Sequence, residues 1–198
     1  MLLSLHGVIV DVKSKARVMD NPFIFGKAVE RPYFTDRQED AKRLRANLCH
    51  GINTILISPR RWGKTSLVKK VTAEIENKDL KTVFIDVFSA KSEYEFFRTF
   101  ATEVVKQTSS DFSLSFEWNE RDETEKEILQ LPEKIAEKKG IRVVVCLDEF
   151  QQVAFFGDQL SFQKKLRTVW QHQQHVTYCL YGSKKLFNSY SIFLLQSY

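Results

Sequence analysis

Apolar residues along this chain follow two rhythms that alternate from start to end. Four short, nearly continuous runs, Ile52–Ile57, Lys81–Val87, Arg142–Leu147 and Val176–Tyr181, have the length and β-branched content of strands. Between them the apolar spacing changes to three and four. Ala41, Leu44 and Leu48 predict a helix over 36–49, and Leu67, Val68, Val71 and Ile75 predict the next. Phe97, Phe100, Ala101, Val104 and Val105 mark one face of a third. A fourth runs towards Gly140, with Pro132 as a place where it kinks or begins afresh. Leu160, Leu166 and Val169 place a fifth over 158–172. Thr35-x-x-Gln38, Ser92-x-x-Glu95 and Thr124-x-x-Glu127 read as capping boxes at three of the helix starts. Strands that alternate with helices predict an α/β domain, with a parallel sheet and right-handed crossovers.

The chemistry sits where two of these strands end. After Ile52–Ile57 comes Ser58-Pro59-Arg60-Arg61-Trp62-Gly63-Lys64-Thr65-Ser66, and then the second helix. A strand, a tight loop closing on Gly-Lys-Thr, and a helix form the phosphate-binding loop of a nucleoside triphosphatase. Gly63 keeps a Cβ out of the way of the phosphates. The amides from about Trp62 to Ser66, with Arg61 beside them, line a nest at a positive helix N-terminus. Lys64 offers a cation to the β- and γ-phosphates, and the Thr65 hydroxyl is a hard oxygen ligand for magnesium. One position departs from G-x-x-x-x-G-K-[ST], since Ser58 stands where the first glycine is usual. Arg142–Leu147 then ends in Asp148-Glu149. An acid pair at the tip of a buried strand suits magnesium-dependent phosphoryl transfer, with Asp148 holding the metal and Glu149 deprotonating the attacking water.

Composition narrows the setting. The chain has 198 residues, 43% of them hydrophobic and 28% charged, which fits one soluble domain with a sizeable core rich in its 16 phenylalanines. Cys49, Cys146 and Cys179 are odd in number and widely spaced, so reduced thiols in a cytoplasm are expected, with no disulfide framework and no zinc site. The longest apolar runs are strand-sized, and the apolar start lacks a basic lead and a cleavage site, so neither a membrane span nor a signal peptide is expected. The net charge of +5 is concentrated in the basic stretch from Lys27 to Lys64, opposed by the acidic stretch Glu117–Glu127. A phosphate pocket accounts for part of the basic excess, so nucleic-acid binding does not follow from it. Asn77-Lys78-Asp79 differs in spacing and place from a guanine-reading motif, and His172 and His175 read as exposed residues near a helix end. Arg167 fits either an arginine finger or a surface salt bridge. Arg37 fits either the nucleotide site or its own helix.

Taken in order, Asn21–Gly26, Phe34–Glu39, Ser58–Ser66, Leu147–Gln151 and Tyr181–Lys185 resemble the archaeal and bacterial P-loop ATPases of the AAA+/STAND type, the "archaeal ATPase" families. The resemblance spans residues 19–185 and makes Ser58 a family trait. It implies a three-layer α/β/α P-loop sandwich whose parallel sheet has the additional-strand order. In that order the strand between the lysine and acid strands ends in a polar residue that senses the γ-phosphate. Ser183 is the candidate, although a serine closing a strand is equally an ordinary turn residue. ATP and magnesium are the implied cofactors, with Glu149, Lys64 and Ser183 as catalytic groups. Residues 1–18 lie outside the resemblance, and the uncharged tail 186–198 takes the place of the family's helical lid and winged-helix domain. Within that tail, Ile192–Leu195 is the segment able to cover the lysine strand's open edge. The expected function is slow MgATP hydrolysis used as a switch. The alternative is a nucleotide-binding module without turnover, or a truncated remnant of a larger ATPase, with a nucleic-acid-linked role open. The protein or DNA partner is undetermined, and a homo-oligomer is allowed.

Overall fold

A computed structural model describes residues 37–108 and 122–183, all within one compact unit. Residues 1–36, 109–121 and 184–198, and with them the lead-in motif, Thr35, the first part of the acidic stretch and the tail, lie outside the described residues. The elements run α1 Gln38–Cys49, β1 Thr54–Ser58, α2 Lys64–Ile75, β2 Leu80–Asp86, α3 Glu93–Thr108, α4 Asp122–Lys139, β3 Arg142–Asp148, α5 Gln159–Trp170 and β4 Val176–Ser183. Short 3₁₀ turns follow β2 (Val87–Ser89) and β3 (Phe150–Phe155). The sheet is wholly parallel, in the order β1-β4-β3-β2. Every strand therefore ends on the same side, where the loop after β1, the acids after β3 and the tip of β4 meet.

Period-two alternation divides the sheet's side chains between its faces. Val83, Ile85, Val143, Val145, Leu147, Tyr178 and Leu180 join one continuous core with α3, α4 and α5. Residues of opposite parity, among them Val144, Cys146, Cys179 and Tyr181, are buried outside that cluster, as are Leu44, Leu48, Leu67, Val68 and Val71 of α1 and α2. Helices thus cover both faces. Cys146 and Cys179 stand opposite each other in the β3–β4 register as buried thiols, and their hydrogen bond and burial raise the Cys146 pKa well above the ordinary thiol range. The phenylalanines concentrate beneath the 3₁₀ turn after β3. There Phe96 and Phe162 meet edge-on at 5.1 Å and Phe156 and Phe162 at 5.3 Å, contacts worth about 0.5–1.5 kcal/mol each beyond their buried area.

At the β2 edge, the Gln107 side chain substitutes for a neighbouring strand. Phe84 N–H donates to its Oε1 (2.8 Å), and its Nε2 donates to Phe84 O (2.9 Å). Among the described residues β1 forms the other edge. The segment expected to cover it, Ile192–Leu195, lies outside them.

Several boundaries differ from expectation. Helix α1 begins at Gln38 with Arg37 as N-cap, and no side chain caps it. The second capping box is present in altered form: Glu95 N–H donates to Ser92 Oγ (3.2 Å), while the Glu95 carboxylate accepts from Lys91 N–H (2.7 Å), one residue before the usual donor. Helix α4 passes through Pro132 as one helix, because Ile128, Leu129, Leu131, Ile135 and Ala136 are all buried around it and outweigh one lost hydrogen bond. Leu160, expected on the core face of α5, is 55% exposed in its first turn, whereas Phe162, Leu166 and Val169 carry the packing. No helix among the described residues is long and apolar enough to cross a membrane.

Candidate nucleotide-phosphate site

The site is built at the end of β1. Ser58 pairs with Ser183 across the β1–β4 register, and the chain then turns through Pro59–Gly63 into α2. Arg61 (φ 64°) and Gly63 (φ 68°) both adopt left-handed backbone. A Cβ at Gly63 would meet no protein atom within 4 Å, so within the protein it is the positive φ that requires glycine there. Arg61 reaches the same conformation without that freedom. It is held from outside the loop, where Arg37 Nη1 donates to Trp62 O at 2.7 Å while its Nε donates to Asp40 at 2.8 Å. Arg37 therefore serves both the loop and its own helix, resolving the choice left open by sequence.

Helix α2 has Gly63 as its N-cap, and its hydrogen-bond ladder begins with Leu67 N–H donating to Gly63 O at 2.9 Å. The amides of Lys64 and Thr65 precede that ladder, at the positive end of the helix. The Lys64 side chain folds back over the loop, where Nζ donates to Ser58 O (3.1 Å) and Pro59 O (3.0 Å). Burial leaves Lys64 8% exposed and lowers its pKa from the ordinary lysine value, while the Glu149 and Asp148 carboxylates oppose the shift. Ser66 is buried beneath the loop, and Trp62 projects outward, 62% exposed. Ser58 Oγ is buried with no hydrogen-bond partner among the described residues.

Strand β3 brings the acids against this loop. Thr65 Oγ1 donates to Asp148 Oδ2 at 2.8 Å, and Glu149 N–H donates to Asp148 Oδ1 at 2.8 Å. Burial raises the Asp148 pKa above the ordinary aspartate value, against the lowering effect of those two bonds; Glu149 and Asp86, its partner in the β2–β3 register, add like charge. Asp86 turns its own carboxylate to Phe88 N–H at 2.9 Å. Glu149 is the second non-glycine residue with positive φ (50°) among the described residues. Both such residues lie in this site, where held backbone strain of this kind tends to concentrate.

Sequence reasoning gave no role to Gln151. Its side chain is 6% exposed, its Nε2 donates to the Glu149 carboxylate, and its Oε1 accepts from Ser183 N–H at 3.2 Å. Ser183, 9% exposed, ends β4 between the lysine and acid strands. The only sequence signal was a glutamine two places after the acid pair. Arg167 lies elsewhere, in the last turn of α5, which leads to the start of β4 at the opposite end of the sheet. His175 is also at that end, with Nδ1 2.8 Å from Glu133 Oε1, and His172 is exposed beside Gln171.

The donor set suits a metal–polyphosphate ligand. A hydroxyl and a carboxylate, both hard oxygens, lie side by side, and a buried ammonium and a helix N-terminus lie next to them.

The model of the ATPase domain found predominantly in Archaea matches residues 34–188. No curated protein matches the chain. Among solved structures, a Walker-type ATPase of Pyrococcus abyssi is similar at TM-score 0.60 and 18% identity, covering 82% of this chain and 49% of that one. The ORC2 protein of Aeropyrum pernix, solved as ADPNP–ADP complexes, gives TM-score 0.61 at 18% identity, covering 86% and 48%. The ORC1 protein of the same organism, solved with DNA, gives 0.63 at 14% identity, covering 84% and 45%. At these identities the likeness shows the fold, a P-loop ATPase core, and the chain spans about half the length of these solved relatives.

Proposed function

The chain belongs to the family of ATPase domains found predominantly in Archaea, and from that premise we propose that it is a cytoplasmic MgATP-binding core of AAA+/STAND type that hydrolyses ATP slowly and uses the bound state as a switch. The observation that carries this is the 2.8 Å contact between Thr65 Oγ1 and Asp148 Oδ2, which sets two magnesium-type ligands, one from the first turn of α2 and one from the end of β3, beside the buried Lys64. That the ORC2 relative was solved with ADPNP and ADP supports the choice of nucleotide.

The roles follow from placement. The loop amides ahead of Leu67 and the Lys64 ammonium bind the β- and γ-phosphates, Lys64 leaving its carbonyl partners Ser58 O and Pro59 O to do so. Thr65 and Asp148 hold magnesium, which when bound neutralises phosphate charge and orients the leaving group. Glu149 takes the proton from the attacking water, and Ser183, at the tip of the strand between the lysine and the acids, contacts the γ-phosphate. Arg37 keeps the loop in its binding shape through Trp62 O.

Phosphate release and ATP binding, measured side by side on the wild type and on Glu149→Gln, test this. The substitution keeps shape and removes the base, so turnover should fall by roughly 10²–10⁴ while binding is retained. Equal turnover in the two proteins removes Glu149 from the chemistry. ATP binding with no phosphate release by the wild type makes the chain a nucleotide-binding module.

A further inference from the structure

Glu149 begins a short 3₁₀ segment with left-handed backbone, so its own helix does not fix where its carboxylate points. Its side chain is steered instead by Gln151. That carboxamide is buried, and its two ends are used in opposite directions. Nε2 donates to the Glu149 carboxylate, and Oε1 accepts from the Ser183 backbone N–H at 3.2 Å. Its acceptor bond reaches where the sheet does not. The β3–β4 register runs from Val143–Val176 to Leu147–Leu180, so the β3 ladder stops short of Ser183, which pairs with β1 through Ser58. Beyond that point the Gln151 amide joins the tip of β4 to the segment bearing Glu149. The turn itself does not need the amide, since Gln152 N–H already donates to Glu149 O at 2.9 Å.

We propose that Gln151 is a positioning residue that ties the Glu149 carboxylate to the tip of β4, so that the base and the strand end between the lysine and the acids move as one unit. The proposal rests on Glu149 acting as the general base. A small displacement of β4 at Ser183, such as contact with a γ-phosphate would produce, is passed by the carboxamide to the carboxylate. Turnover thereby depends on an intact terminal phosphate through a link separate from nucleotide binding itself, because Gln151 touches neither the loop after β1 nor the Thr65–Asp148 pair in any bond described above.

Gln151→Met tests this by keeping the side chain's length while removing both bonds, and Gln151→Glu keeps an acceptor for Ser183 N–H but sets one carboxylate against another. In Gln151→Met, kcat should fall at least about tenfold, with KM and ATP affinity within about twofold of wild type; Gln151→Glu should also lose kcat. An unchanged kcat in Gln151→Met, or a loss of ATP affinity as large as the loss of kcat, overturns the proposal. A second readout does not depend on turnover, namely amide hydrogen exchange at Ser183 in the full chain. It should accelerate in Gln151→Met and also in Glu149→Ala, where the carboxamide loses its anchor. If Ser183 exchange responds to neither, or to Gln151 and not to Glu149, no such tie exists. That holds whether or not the wild type releases phosphate, so failure of the ATPase assignment and failure of the tie are told apart. Should Gln151→Met not fold, the loss of kcat in Gln151→Glu and the acceleration of Ser183 exchange in Glu149→Ala still decide it.

Discussion

Truncating Lys64 to alanine separates the binding role of the site from its contribution to the fold. Two effects of opposite sign act on stability. The ammonium donates to Ser58 O and Pro59 O at 3.1 and 3.0 Å, charge-assisted bonds worth about 1.5–3 kcal/mol each while the ammonium is there, but to residues that are not buried, so water replaces the donor once it is removed. Against them stands the burial of a cation, which lowers the Lys64 pKa. The net change should stay within about 1 kcal/mol, a shift in Tm of about 2–4 °C for a chain of this size. Binding has no such offset. A charge-assisted contact to phosphate is worth about 1.5–3 kcal/mol, and at about 1.4 kcal/mol per decade its loss should weaken ATP roughly 10- to 150-fold. The sign of the pH effect also follows. With its folded pKa below the ordinary lysine value, Lys64 binds fewer protons in the folded state than in the unfolded one. Stability should therefore rise as pH climbs from the folded pKa towards the unfolded value near 10.5, and Lys64→Ala should flatten that rise. Isothermal titration calorimetry and thermal melts across pH measure both quantities. Unchanged ATP affinity in a folded Lys64→Ala protein would refute the site, and a collapse of Tm with affinity intact would make Lys64 structural.

Two further substitutions follow from the same geometry. Asp148→Asn removes a carboxylate whose folded pKa is raised above 3.8, chiefly by burial. Such a group destabilises the fold increasingly as pH rises through the interval between its unfolded and folded pKa. Without ligand the variant should then melt higher than wild type at neutral pH and lose that pH slope, while magnesium ceases to improve ATP binding; a lower neutral-pH Tm contradicts this. Arg37→Ala frees Trp62 O from its 2.7 Å bond, and since the side chain is partly exposed the loss is about 0.5–1.5 kcal/mol, seen as a few-fold drop in ATP affinity. Arg37→Lys should not restore it, because one ammonium does not reproduce the fork that meets Asp40 and Trp62 together; full rescue by lysine would show that charge alone suffices.

The local patterns were legible in sequence because each obeys a short-range rule. Continuous apolar runs marked all four strands to within two residues at either end, and Ser58–Ser66 identified the loop because strand, glycine, lysine and threonine follow one another directly. Strand order did not follow from periodicity; it came with the family resemblance, and the observed β1-β4-β3-β2 agrees with it. What remained hidden depends on residues distant in the chain. Arg37 meets Trp62 across 25 positions and Gln151 meets Ser183 across 32, and no periodicity reports such partners. Leu160 misled for a different reason. At about 100° per residue it lies roughly opposite Val169, so the helix turns it away from the face that Phe162, Leu166 and Val169 bury, which a count of apolar residues without their phase does not show. Pro132 misled because helix-breaking tendencies are local, whereas the burial on either side of it is tertiary.

Several unfavourable features of the described structure gather at this site, and their signs say what would offset them. Arg61 and Glu149 hold left-handed backbone at a cost of order 1–3 kcal/mol each. Lys64 and Asp148 are both desolvated, one a cation with a lowered pKa and the other an acid with a raised one. Ser58 Oγ, beside them, is buried without a partner among the described residues. A cation alone would relieve Asp148 at the Thr65 hydroxyl but repel Lys64. An anion alone would relieve Lys64 and the amides at the start of α2 but repel Asp148 and Glu149. A ligand that carries both charges, polyphosphate towards α2 and a hard divalent ion towards β3, relieves each group at once. The behaviour to expect is synergy, in which ATP and magnesium each raise Tm weakly alone and strongly together. Additive shifts in Tm would mean that the two desolvated charges belong to independent sites.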